Sequence, residues 1–239
     1  MMGYPSVTPR ARIGFIIPSS NRVVEPQMQH YAPPGVVAHF ARLRMTNRHR
    51  KPLPDLLPEI LDSVALLMDS RCDVIVFQCT GTSMSGGVEA DDDVVREIRK
   101  AADRPAISTA GAVRAALSAL GAKRLVFISE TGPEGHAKKL AYLKQAGYEI
   151  VRDHAACLSG SDAYCSTPPE FWYDAALAVR HADAEAYFIS CANIHSMEVI
   201  DRLENELGKP VITSNQAALW CALRELGIHA AGPGVLFKL

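Results

Sequence analysis

The chain has 239 residues, of which 48% are hydrophobic and 21% charged, with a formal net charge of −1. That length suits two small domains sharing a cleft, and the near-zero charge excludes the long-range attraction on which nucleic acid or anionic membrane binding depends. An anionic substrate must therefore be held by local donors and not by a global positive field.

Taken in chain order, Met1 to Ala11 carries Pro5, Pro9 and Arg10 and has no apolar run of the signal-peptide type. No later stretch approaches the roughly 18 apolar residues that span a bilayer. The expectation is a soluble, cytoplasmic protein with neither a membrane nor a nucleic-acid partner. A first strand follows at Arg12-Ile13-Gly14-Phe15-Ile16, and Pro18-Ser19-Ser20-Asn21 then offers hydroxyls, an amide and the N–H groups of a turn. Arg42, Arg44, Arg48 and Arg50 read as a solvated basic face, from which one side chain could reach a substrate carboxylate. The spacing predicts a helix over 56–68 and then a strand, Asp73-Val74-Ile75-Val76-Phe77-Gln78-Cys79. Cys79-Thr80-Gly81-Thr82-Ser83 with Ser85-Gly86-Gly87 reads as a small, hydroxyl-rich loop able to aim several donors at one carboxylate. Asp91-Asp92-Asp93 precedes Val94-Val95, so it reads as an N-cap with favourable charge for a helix over 92–102, in preference to a metal cluster. A strand at 104–109 and a helix over 111–120, ended by Gly121, complete the first half.

The second half repeats this plan. An offset of 112 residues relates Phe15 to Phe127 and Cys79 to Cys191, so the strands Arg124-Leu125-Val126-Phe127-Ile128 and Glu185-Ala186-Tyr187-Phe188-Ile189-Ser190-Cys191 match those of the first half. Lys209-Pro210-Val211-Ile212-Thr213-Ser214 matches Arg104-Pro105-Ala106-Ile107-Ser108-Thr109 at an offset of 105. Helices are predicted over 135–146, 171–182, 196–207 and 216–226, three of them closed by Gly147, Gly208 and Gly227. The fold class is therefore α/β: two pseudo-symmetric Rossmann-like domains, each a short parallel sheet flanked by helices, with the active site in the cleft between them. The expected boundaries are 11–115 with 218–239, and 116–217.

Six cysteines occur, without a CxxC pair or zinc-type spacing, and free thiols are the expected state. A lone cysteine is more often a small buried hydrophobe than a reactive group, and Cys72, Cys157, Cys165 and Cys221 are read that way. Cys79 and Cys191 differ: they occupy matching repeat positions at strand ends, where ligands of open α/β sheets bind. Each stands beside donors: Asn21, Thr80, Gly81, Thr82 and Ser83 on one side, Ala192, Asn193 and Thr213-Ser214-Asn215 on the other. Two opposed thiols suit racemisation, in which one removes a proton and the other returns one. They equally suit cis–trans isomerisation, in which a thiolate adds to an alkene, the new single bond rotates and elimination follows. A non-catalytic two-lobed binding module is the rival from a different class. His195 could assist Cys191, His136 and His154 lack a partner pattern, and no glycine-rich phosphate signature occurs.

Ile13-Gly14-Phe15-Ile16-Ile17-Pro18-Ser19-Ser20-Asn21 with Glu25, the stretches ending in Cys79 and Cys191, and Gly232-Pro233-Gly234-Val235-Leu236 resemble the bacterial maleate cis–trans isomerases. These belong to the aspartate/glutamate racemase superfamily, which also contains arylmalonate decarboxylase; Thr80, Ser83 and 214–220 are similar to the decarboxylase. The resemblance implies two α/β domains around one site, no metal or organic cofactor, a small carboxylate substrate and often a homodimer. It further implies that Cys79 attacks the alkene, Cys191 serves as the acid, and Ser20 and Asn21 contribute to a carboxylate site. The decarboxylase lacks the first cysteine, so retention of both argues against simple decarboxylation. Two positions depart from the isomerase pattern: Thr131 stands where those enzymes carry tyrosine, and Asp162 where they carry a substrate-binding asparagine. A carboxylate at 162 would repel a substrate carboxylate.

Overall fold

The computed structural model describes residues 8–45 and 51–239, so Arg48 and Arg50 lie outside the described residues. Within them, β1 (Ala11–Pro18), β2 (Val36–Leu43), β3 (Val74–Phe77) and β4 (Ala106–Ser108) form one sheet in the order β2-β1-β3-β4. A second sheet contains β5 (Arg124–Ser129), β6 (Glu149–Ala155), β7 (Ala186–Ser190) and β8 (Val211–Thr213) in the order β6-β5-β7-β8. All pairings are parallel. The repeat read from the sequence is thus one topology used twice.

The side-chain alternation of the strands explains how both sheets are buried on two faces. Ile13, Phe15 and Ile17 point into an inner core that also holds Phe127, Phe188 and Trp172 of the second half. Ile16, Ile75 and Phe77 point the other way, against Ile60 and Val64 of α2 (Leu57–Asp69) and Ile98 of α4 (Gly87–Ala102). Gly14 has no room for a side chain: an added Cβ would stand 2.9 Å from Ile75 Cδ1 and 3.0 Å from Cys72 Sγ. Cys72 is accordingly a buried packing thiol, and burial pushes its pKa up to about 11. None of the six cysteines is in a disulfide.

Helices α5 (Thr109–Ala119) and α10 (Ser214–Glu225) follow β4 and β8 and pack on each other. A capping box, Thr213 with Gln216, opens α10 two residues before the predicted start. Helix α10 also lies against β3 and β4, so it braces the first sheet although it follows the second. The closing residues do not go with it: Gly234 N and Val235 N donate to Asp201 Oδ1 (2.8 Å) and Glu204 Oε2 (2.8 Å) on α9 (Ile200–Leu207). Among the described residues, no helix is long and apolar enough to cross a membrane.

Several local expectations are corrected. The stretch after Cys79 is a short helix, α3 (Thr80–Ser85), and not a loop. Helix α1 (Val24–Tyr31) and strands β2 and β6 complete the halves where the sequence reading placed nothing. Helix α8 (Pro169–Ala178) is shorter than predicted, and a 3₁₀ turn at Met197–Val199 precedes α9. Helix α4 begins five residues before the predicted start, so Asp91-Asp92-Asp93 lies inside it and caps nothing.

Asp91 is buried, accepting from Ser108 Oγ (2.7 Å) and Tyr142 OH (3.4 Å) on α6 (Pro133–Gln145), with Arg114 Nη2 at 3.6 Å. Burial raises its pKa to about 6, the Ser108 hydrogen bond and Arg114 offsetting only part of that cost. The folded state then binds this proton more tightly than the unfolded state, whose ordinary value is 3.8. The stabilisation is full below that value and is lost as pH rises through about 6. We expect Asp91→Asn to abolish a decline on the order of 2–3 kcal/mol between these limits. Urea unfolding at stepped pH, comparing the two proteins, checks this; parallel curves would refute it.

Candidate active site

The carboxyl ends of the four inner strands β1, β3, β5 and β7 meet at a cleft of about 790 Å³ between the halves. From the first half, Ser20 and Asn21 follow β1, and Cys79, Thr80, Gly81 and Thr82 follow β3; all of them line it. From the second half, Thr131 follows β5, and Cys191, Ala192 and Asn193 follow β7. The two thiols therefore share one cavity. A shallower hollow of about 420 Å³ beside β2 and α2 contains neither of them.

Their surroundings differ. Cys79 is half-buried in the N-cap position of α3, and its Sγ donates to Thr82 Oγ1 at 3.1 Å. If the thiol ionises, the same hydroxyl can turn and donate to sulfur. Cys191 is buried, with its backbone at φ +125°. That conformation costs a non-glycine residue on the order of 1–3 kcal/mol and persists only when neighbours enforce it. Ser214 Oγ accepts from Cys191 N (3.1 Å) and Asn193 N donates to Cys191 Sγ (3.3 Å), which fixes the sulfur. Burial first, and then the adjacent Glu130 carboxylate, push the Cys191 thiol well above the ordinary thiol value. It is a protonated thiol at neutral pH.

A buried polar network joins the two halves beneath the thiols. Thr80 Oγ1 donates to Ser214 Oγ (2.9 Å), and Gln78 Nε2 donates to Asn215 Oδ1 (2.7 Å). Asn215 Nδ2 donates in turn to Gln27 Oε1 (2.6 Å) and Ala192 O (3.1 Å). Asn21 is part of this clasp: its Oδ1 accepts from Val23 N (3.0 Å) and Val24 N (2.9 Å), and its Nδ2 donates to Ala192 O (3.0 Å). Only one Nδ2 hydrogen is used there, which leaves the other for the cleft. Asn193 Oδ1 accepts from Arg22 N (2.8 Å), and Ser161 Oγ donates to Ser20 Oγ (2.8 Å).

Two predicted binding residues do not reach the cleft wall. Ser83 is fully buried, its Oγ donating back to Thr80 O (3.2 Å) within α3. Asp162, on α7 (Gly160–Ser166), points into solvent and pairs with Arg22 across the halves. Its carboxylate is held at the surface by Arg22 and is not among the groups lining the cleft. Thr131 does line the cleft, and its buried Oγ1 finds no hydrogen-bond partner among the described residues. Arg42, expected on a solvated face, instead pairs with Glu25 and braces the turn before α1 by donating to Asn21 O (2.8 Å).

The family model for arylmalonate decarboxylase matches residues 13–237. The chain belongs to that family. A maleate isomerase of Nocardia farcinica is 27% identical over 233 residues, covering 93% of each chain. The crystal structure of a maleate isomerase from Pseudomonas putida superposes with a TM-score of 0.88 at 24% identity, covering 95% of this chain and 98% of the other. A cysteine-to-serine mutant of the Nocardia farcinica maleate cis–trans isomerase, with a covalently bound succinylcysteine intermediate, gives a TM-score of 0.86 at 24% identity over 95% and 98% of the two chains.

Within this family member, the cleft residues missed from the sequence include two that stand beside Cys191. Glu130 and Lys139 form a buried pair, Nζ to Oε2 2.5 Å, beside Cys191. A Glu and a Lys nine residues apart, one of them on a helix, read as ordinary surface charges, so no local signal marks them. Two histidines serve structure: His195 pairs with Glu198 (3.2 Å) and does not line the cleft. His136 bridges Ser129 Oγ (2.7 Å) and Asp153 Oδ2 (2.9 Å). That Ser-His-Asp chain has the order of a hydrolytic triad, but its serine is fully buried and does not line the cleft, and Phe127 stacks on the histidine.

Proposed function

We propose that this protein is a cysteine-based isomerase of a small carboxylic acid with an activated carbon–carbon double bond, maleate and its close relatives first among them. The observation that carries this reading is the pair of thiols, from equivalent strand ends, on one cleft and in unlike environments. Cys79, half-exposed and beside a hydroxyl that can stabilise its anion, is the nucleophile; Cys191, held as a thiol, is the acid. The Cys79 thiolate adds to one alkene carbon, and Cys191 gives its proton to the other, forming a saturated thioether. Rotation about the former carbon–carbon double bond, now single, carries the two substituents from the same side to opposite sides. Cys191 then takes the proton back, and the C–S bond breaks to release the other geometric isomer with Cys79 again as thiolate. The second Asn21 amide hydrogen, Thr131 Oγ1 and the backbone N–H group of Thr82 are the donors we assign to the substrate carboxylates, since neutral donors in a shielded cleft stabilise the developing enediolate charge.

The test is ¹H NMR in D₂O with maleate, citraconate-type alkenes, aspartate, glutamate and arylmalonates. The expected result is conversion of a cis alkene to its trans isomer. Solvent deuterium entering the α-carbon of an amino acid, with every alkene inert, would replace this reading by racemisation through the same two thiols.

A further inference from the structure

We propose that Glu130, braced by Lys139, is a positioning residue for Cys191: its carboxylate accepts the thiol hydrogen bond and makes the thiolate left after proton donation a base strong enough to recover that proton. The geometry carries this: Ser129 and Ser190 are register partners of the adjacent strands β5 and β7, so Glu130 and Cys191 leave neighbouring strand ends on the same cleft. Glu130 stands in the turn immediately after β5 and is fixed there by Leu158 N donating to its carbonyl (2.9 Å) and Ala156 N donating to Ser129 O (2.8 Å). Its side chain is 5% exposed and that of Lys139 is 3% exposed, yet both residues border the cleft. Among the described residues, the charged groups acting on the Cys191 sulfur are these two, Glu130 from the turn and Lys139 from α6. Lys138 and Glu134 also border the cleft, but on its exposed rim, where they pair with each other (2.8 Å).

A buried ion pair is a poor device for stability, because desolvating two charges cancels much of their attraction. Its position beside a proton-transferring sulfur gives it a purpose. The proton to be recovered is on carbon next to a carboxylate and is very weakly acidic, so an ordinary thiolate would leave the thioether adduct stranded. A fixed anion against the sulfur disfavours the thiolate, which keeps Cys191 protonated at rest and raises its basicity once the proton has gone. Lys139 limits the penalty, so that the thiolate can form at all, and compensates the buried carboxylate when no substrate is bound. No proton or electron beyond those of the addition–elimination cycle is needed.

The inference rests on the acid–base assignment of Cys191, but its test uses no substrate and is separable from it. Alkylation of Cys191 by iodoacetamide, followed by peptide mapping across pH, reports its thiolate fraction. Glu130→Gln is expected to raise the alkylation rate of Cys191 near pH 8 by about tenfold, the equivalent of one pH unit in thiol acidity, and Lys139→Gln to lower it. Glu130→Asp should return towards the native rate. Opposite shifts from the two charge-removing variants are not produced by loosening of the fold. Far-UV circular dichroism monitors folding; should either single variant fail to fold, the charge-neutral double variant Glu130→Gln/Lys139→Met takes its place and is expected to alkylate faster than the native protein. Rates within twofold of native in folded variants, or shifts of the same sign in both single variants, overturn the proposal whether or not an isomerase substrate has been found.

Discussion

Replacing Cys79 by serine is expected to lower turnover of the cis alkene by roughly a thousandfold or more while leaving the fold intact. The effect is chemical. Serine preserves the hydrogen-bond partnership with Thr82 Oγ1 and fills nearly the same volume beside the outer core, so neither α3 nor β3 should move. What is lost is the anion: a hydroxyl far less acidic than a thiol supplies almost no nucleophile at neutral pH. Thr82, the side chain best placed to stabilise a thiolate, cannot make an alkoxide accessible. Progress curves followed by ¹H NMR, together with thermal unfolding of the native and variant proteins, check this expectation. A serine variant that unfolds at the native temperature and retains a tenth of the activity would remove Cys79 from the nucleophile's role.

The residues that carry the sheets were legible because burial on both faces leaves no room for polar alternation. Val74-Ile75-Val76-Phe77 and Leu125-Val126-Phe127-Ile128 could be little else than central parallel strands. The edge strands hid themselves for the converse reason. β2 runs through His39, Arg42 and exposed Val37, and β6 through Arg152, Asp153 and His154, so both resemble loop in composition. Helix α3 hid because Thr80-Gly81-Thr82-Ser83 is poor in helix formers; it exists because β3 delivers the chain there and Ser83 N donates to Cys79 O (2.9 Å). The thiol pair emerged from the repeat register alone. Its supporting groups could not, since Gln27 with Asn215 and Asn21 with Ala192 meet across 188 and 171 residues, and no local pattern encodes which buried amide another will find. Asp162 shows the same limit from the other side: its alignment with a binding position was visible, but its capture by Arg22 from the opposite half was not.

Cys191→Ser should behave differently from Cys79→Ser, and the contrast tests the division of labour between the two sulfurs. The nucleophile is untouched, so addition to the alkene continues. Protonation of the adduct can still be completed slowly by water, giving the saturated thioether. Its collapse, however, requires a base to remove a proton adjacent to a carboxylate, and a serine hydroxyl held among the same neighbours cannot serve as one. The adduct is therefore expected to accumulate: the tryptic peptide bearing Cys79 gains the mass of one intact substrate molecule, while isomer release falls by roughly a thousandfold. The native protein should show no such accumulation under the same quench. Serine lacks sulfur's bulk at a position whose φ of +125° is enforced by Ser214 and Asn193, so some loss of stability is expected as well, and the mass increment distinguishes the two consequences because an unfolded cleft forms no adduct. An unmodified Cys79 peptide from folded, inactive Cys191→Ser protein would mean that Cys191 acts before the carbon–sulfur bond forms, and the order of steps proposed here would have to be reversed.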